Sequence, residues 1–218
     1  MNDFKHLLNK NVKLKVAGHL LEGRFCDFGN DILVLYRESK YLYIPLTHVQ
    51  KIILSDKAVI EDNSLSPDLP FAKENHTFFS YRMMLRNAIG LYTQIRVVGK
   101  NPLHGTIVNV LSDYFVFYSP VYKQIFIPLS HLKWLTVYEQ DNSHYSMYNP
   151  IPQKQSFSRS FEEQLKKWEG KLIVFDMGED PDKIGILNSI KGNLAELIST
   201  TGEKVYFKLN HAKTVYLA

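Results

Sequence analysis

Apolar and polar residues alternate early in the chain, where Val12, Leu14 and Val16 are separated by lysines, and again at Ile95 and Val97. A period of two is that of a strand with one apolar face. Over the first 55 residues the pattern predicts strands near 12–17, 20–27, 31–37, 40–45 and 49–54. Turns fall at Ala17-Gly18-His19, Gly29-Asn30 and Glu38-Ser39, where glycine or short polar side chains suit turn geometry. Only Leu46-Thr47-His48 separates the last two strands, enough for a tight or helical corner. Helical spacing replaces the alternation at Phe4, Leu7 and Leu8, at Tyr81, Met84, Leu85 and Ile89, and at Phe161, Leu165 and Trp168. The third of these carries N-caps at Ser158 to Ser160, Glu162 and Glu163 in its first turn, Lys166 and Lys167 near its end, and Gly170 as a stop.

The pattern repeats three times. Gly23 precedes Asp31, Gly105 precedes Asp113 and Gly185 precedes Asn193, each by eight residues. A second anchor follows: Tyr43-Ile44-Pro45-Leu46-Thr47-His48, Phe126-Ile127-Pro128-Leu129-Ser130-His131 and Tyr206-Phe207-Lys208-Leu209-Asn210-His211. Glycine and histidine are 25, 26 and 26 residues apart, too regular for coincidence. Five short bent strands with a tight last corner describe a small SH3-like or Sm-like barrel, and the preceding helix favours the Sm-like form. The expected fold is therefore mainly β: three tandem five-stranded Sm-like barrels, each preceded by a short helix. The repeats span 1–55, 76–139 and 158–218, joined by linkers at 56–75 and 140–157 that are rich in Ser, Asn, Pro and acids. A barrel of about 50 residues buries too little surface to be robust alone, so the three should pack together, with Tyr145, Tyr148 and Phe157 docking the second linker.

Hydrophobic residues at 45% and charged residues at 22% place the chain among globular proteins rather than disordered or collagenous ones. Neither a long apolar run nor an apolar leader is present, which predicts an intracellular chain made without a signal peptide and having no membrane partner. The lone Cys26 excludes an internal disulfide and a Cys-rich zinc site, and its alternating apolar segment suggests a buried small hydrophobe. A net charge of +4 is spread among acids and gives only mild attraction for an acidic partner.

Candidate chemistry is sparse. Three imidazoles at His48, His131 and His211 could ligate a transition metal, but a histidine at a recurrent corner more often bonds nearby backbone. The loop Asp176-Met177-Gly178-Glu179-Asp180-Pro181-Asp182 invites a calcium reading, yet it falls in a hairpin where carboxylates should simply be solvated. Asp31, Asp113 and Asn193 are read as turn-fixing acceptors, and Gly23, Gly105 and Gly185 as points where a strand bends sharply. Lys10, Lys13, Lys15, Arg24, Arg37 and Lys40 interleave with Tyr36, Tyr41 and Tyr43, a composition compatible with phosphates and stacked bases but also with an ordinary solvated sheet face. No phosphate loop, zinc motif, nucleophile elbow or recurring acid pair is found, so the expectation is no catalysis, no cofactor and no metal.

The repeats resemble those of Bacillus spore coat protein B and of short Bacillus proteins carrying one such module. The likeness rests on the hairpin turns Gly99-Lys100-Asn101-Pro102-Leu103-His104-Gly105 and Gly178 to Gly185, on Asp113-Tyr114-Phe115, and on the aromatic-apolar-x-Leu-x-His anchor. It implies a structural protein of the spore surface, although the long Ser-, Lys- and Arg-rich tail of that coat protein is missing. Other proteins, spore coat components among them, are then the expected partners, with self-association compatible with the repeats. A weaker resemblance to bacterial Sm-like RNA chaperones makes nucleic acid the alternative partner. Those chaperones carry a lysine before the histidine where this chain has Thr47, Ser130 and Asn210.

Overall fold

The computed structural model describes residues 4–55, 79–99, 101–138 and 156–218. The first repeat forms β1 (Asn11–Val16), β2 (His19–Phe28), β3 (Ile32–Arg37), β4 (Lys40–Pro45) and β5 (Val49–Leu54). The second forms α1 (Tyr81–Asn87), then β6 (Tyr92–Arg96), β7 (Leu103–Val110), β8 (Tyr114–Ser119), β9 (Lys123–Pro128) and β10 (Trp134–Val137). The third forms α2 (Phe161–Lys166), β11 (Leu172–Phe175), β12 (Ile184–Lys191), β13 (Leu194–Ser199), β14 (Lys204–Lys208) and β15 (Val215–Leu217). A three-residue 3-10 turn precedes the last strand of each repeat: Leu46–His48, Leu129–His131 and Leu209–His211. The first repeat opens on a single 3-10 turn, Lys5–Leu7, rather than an α-helix. All but residues 156 and 157 of the second linker, including Tyr145 and Tyr148, lie outside the described residues, as does the whole of the first; Phe157 packs edge-on to Phe126 at 5.9 Å.

The chain is mainly β. The fifteen strands of the described residues join one open antiparallel sheet in the order β14-β13-β12-β11-β15-β9-β8-β7-β6-β10-β4-β3-β2-β1-β5. Within each repeat the fifth strand pairs with the first, and the fourth lies at the opposite side.

The long second strand of each repeat bends at one place. Its glycine runs so close to the third strand that a Cβ would stand 2.4 Å from the Tyr36 carbonyl oxygen at Gly23, 1.9 Å from that of Tyr118 at Gly105 and 2.2 Å from that of Ile198 at Gly185. Just beyond the glycine the register slips by one residue in all three copies, between Phe25 and Asp27, Ile107 and Asn109, and Leu187 and Ser189. Such a bulge sharpens the local twist and bends the strand over its own repeat. Asp27 and Asn109 directly follow the unpaired Cys26 and Val108 and accept the N–H of the next residue at 2.8 Å, a role that a short polar residue four places after the glycine could have signalled.

Burial explains how three small repeats are stabilised. Val12, Leu14, Phe25, Leu33, Leu35 and Ile44 fill the interior of the first repeat. On the opposite face of the same strands, Ile32, Val34, Tyr41 and Tyr43 join a second core with α1 and with Ile95, Ile107, Phe117 and Ile127 of the next repeat. Tyr114, Val116 and Phe126 likewise join α2 and the interior of the third repeat. The third and fourth strands of the first two repeats are therefore apolar on both faces, as strands covered on both sides must be.

Candidate interaction site

The repeated residues gather at the seams between repeats. At the first seam β10 runs antiparallel to β4 with Leu135 opposite Tyr43, and at the second β15 runs antiparallel to β9 with Val215 opposite Phe126. Leu135 and Val215 each lie four residues after their repeat's histidine, so the two seams have equivalent register.

A helix start locks each seam. Ser80 caps α1 through the Met83 N–H, and the Asp31 carboxylate of the preceding repeat accepts the Tyr81 N–H at 2.7 Å. In the second seam Ser160 caps α2 and Asp113 accepts the Phe161 N–H at 2.9 Å. These aspartates were expected to fix their own turn; their backbone carbonyls do accept the Leu46 and Leu129 N–H groups, but their side chains serve the next repeat. A helix leaves its first N–H groups unbonded, and a carboxylate there also meets the positive end of the helix. The Asn193 side chain accepts the Asn210 N–H of its own repeat at 3.1 Å.

The histidines also reach across. His131 Nε2 lies 2.9 Å from the Asn210 carbonyl oxygen in the next repeat's 3-10 turn, so in the neutral ring Nε2 carries the proton. His48 faces the Ser130 backbone in the corresponding way, with Nε2 buried but short of a well-formed bond. Burial holds both imidazoles below their ordinary pKa, opposed by these backbone contacts. His211 is exposed. The expected bond to the histidine's own corner is thus replaced by a link from turn to turn. Among the described residues no group of three or more His, Cys, Asp or Glu is gathered closely enough to hold a metal.

Asp176 departs from the solvated loop expected of it. It is buried, pairs with Lys183 Nζ at 2.5 Å, and accepts the N–H groups of Lys213 at 2.6 Å and Thr214 at 3.3 Å. A buried carboxylate must be compensated in this way, and the result ties the β11–β12 connection to the start of β15. Of the basic and aromatic residues considered for stacking, Tyr41 and Tyr43 are buried, Arg24 lies over the Tyr36 ring at 5.3 Å and Arg37 pairs with Glu38. Cys26 is half-buried, and that burial pushes its thiol pKa up.

The whole chain aligns with the whole of the uncharacterized protein YwrJ of Bacillus subtilis (strain 168), at 39% identity. The chain belongs to the YwrJ family. Residues 160–215 match the family's YwrJ third-domain model, which covers the third repeat from the α2 cap into β15.

At the ends of the sheet the seam chemistry has no partner among the described residues. Tyr206 stands where the first two repeats have Tyr43 and Phe126; it is 55% exposed, against 0% and 3%. Leu194 stands where they have Ile32 and Tyr114 and is 41% exposed, against 0% for both. At the far end Ile53 and Leu54 of β5 are exposed. No helix among the described residues is long and apolar enough to cross a membrane.

Proposed function

We propose that this YwrJ-family chain is a non-catalytic structural and interaction protein, a spore-coat-like assembly component acting through protein–protein contacts of three Sm-like modules. One observation carries the reading: the repeated polar residues are spent on joining repeats, Asp31 and Asp113 on helix starts and His131 on a neighbouring turn. A chain whose recurring side chains build strand-to-strand seams is equipped for assembly rather than turnover, and sheet edges recruit partners by strand addition. Support for the Sm-like barrel comes from the recurring strand order, with the fifth strand beside the first, the bulged second strand and the 3-10 corner before the last strand. The burial of Tyr41 and Tyr43 removes most of the stacking surface that a nucleic-acid reading requires.

The test is a fluorescent fusion followed through sporulation in a Bacillus host. Signal that gathers at the forespore periphery and stays with washed, released spores supports the reading; diffuse signal throughout overturns the coat assignment. RNA that copurifies with the chain and is lost steeply with rising salt would replace it with Sm-type nucleic-acid binding.

A further inference from the structure

The chain builds the same seam twice and leaves its two halves over. Every seam consists of a fifth strand laid against the fourth strand of the preceding repeat. Among the described residues one strand of each kind has no neighbour on its outer side: β5 at one end of the sheet and β14 at the other. We infer that these edges recognise a second copy of this chain head to tail, β5 of one copy adding to β14 of the other. The inference rests on the assembly reading above and names its partner.

The register follows from the internal seams. Tyr43 faces Leu135 and Phe126 faces Val215, and the equivalent residues at the free edges are Tyr206 and Ile52. Antiparallel pairing then sets Val205 opposite Ile53 and Lys208 opposite Gln50. The contact matches Tyr206 with Ile52 and Val205 with Ile53, sets Phe207 opposite Lys51 and Lys204 opposite Leu54, and places no like charges directly across from each other. Lysines on an edge strand usually discourage addition, but Lys204 is neutralised by Glu196 at 3.2 Å. The same placement brings the exposed His211 to the Thr47 backbone, as His131 meets Asn210.

This seam is weaker than the internal ones. Glu196 occupies the place of Val34 and Val116, and Asn193 is bonded within its own repeat. The contact joins separate chains and so forms with rising concentration, whereas the internal seams hold always. A head-to-tail contact either closes on itself or extends, and both outcomes contain the same strand pair.

The experiment uses full-length chains in a Cys26→Ser background, one carrying Tyr206→Cys and the other Ile52→Cys, oxidised separately and mixed. The neighbouring pair Val205→Cys and Ile53→Cys serves if the Ile52 variant fails to fold. A covalent species of twice the 25.3 kDa chain mass is expected from the mixture and not from either variant alone, since each chain carries a single thiol. Adding Tyr206→Lys to the Val205→Cys chain should abolish it without changing the melting temperature, since that side chain is exposed. Equal cross-linking of one variant with itself, or no cross-link between folded chains in the mixture, overturns the inference. A chain that stays single yet collects on the spore refutes this partner and leaves the assembly reading standing; diffuse signal from a self-pairing chain does the reverse.

Discussion

Phe126 and Tyr206 hold the same position in consecutive repeats, yet truncating them should have very different costs. Phe126 is almost fully buried, meets Trp168 edge-on at 4.6 Å and lies 6.0 Å from Tyr114, so it joins the second repeat to the turn that follows α2. Removing a buried phenylalanine costs roughly 3–5 kcal/mol, from lost transfer energy and the cavity left behind. In a chain of this size about 1 kcal/mol moves Tm by roughly 2–4 °C, so Phe126→Ala should lower Tm by at least about 6 °C. Tyr206→Ala removes a side chain that is mostly in water and should stay within about 0.5 kcal/mol. The assay is thermal and urea unfolding by far-ultraviolet circular dichroism, at concentrations where the chain is single, with tryptophan fluorescence in a Trp134→Phe background so that Trp168 alone reports the second seam. If Tyr206→Ala costs as much as Phe126→Ala in the single chain, or Phe126→Ala costs less than about 1 kcal/mol, the argument that burial at the seam stabilises the repeats is wrong.

Asp113→Ala removes the acceptor for the Phe161 N–H and should cost about 1 kcal/mol in urea unfolding, while Asp113→Asn, which keeps an acceptor oxygen, should lose less. Gly105→Ala puts a Cβ 1.9 Å from the Tyr118 carbonyl, so β7 must separate from β8, and hydrogen exchange should show the amides of both strands deprotected; protection unchanged from the parent chain would refute the close approach. His48 and His131 have folded pKa values below the ordinary 6.5, so the unfolded chain binds more protons as pH falls through that value. Their contribution is complete above about pH 6.5 and is lost on acidification; His131→Gln should flatten the fall in Tm between pH 7 and 5, and an unchanged slope would refute the assignment. Above pH 10 the reverse sign applies to Tyr81 and Tyr114, whose phenols burial pushes up, so stability should decline as the unfolded chain releases protons first.

The sequence by itself determined the threefold repeat, the strand positions of the first repeat to within about a residue, the helical segments before the second and third repeats, the serine cap of the third, and a tight or helical corner before the last strand of the first. These are local: alternation, turn residues and capping act over a few neighbours and leave periodic marks. It also contained, without revealing, which faces would be covered. Ile32, Val34, Tyr114 and Val116 read as ordinary strand residues, but they are buried on the outer side of their repeat because another repeat lies there. Only the tertiary structure decided that Asp31 serves a helix 50 residues away, that His131 meets a carbonyl 79 residues away, and that Asp176 is buried against Lys183 and the Lys213 amide. The physical reason is that a side chain's partner depends on which surfaces packing brings together, and pairing the edges of successive repeats sets that for all of them at once.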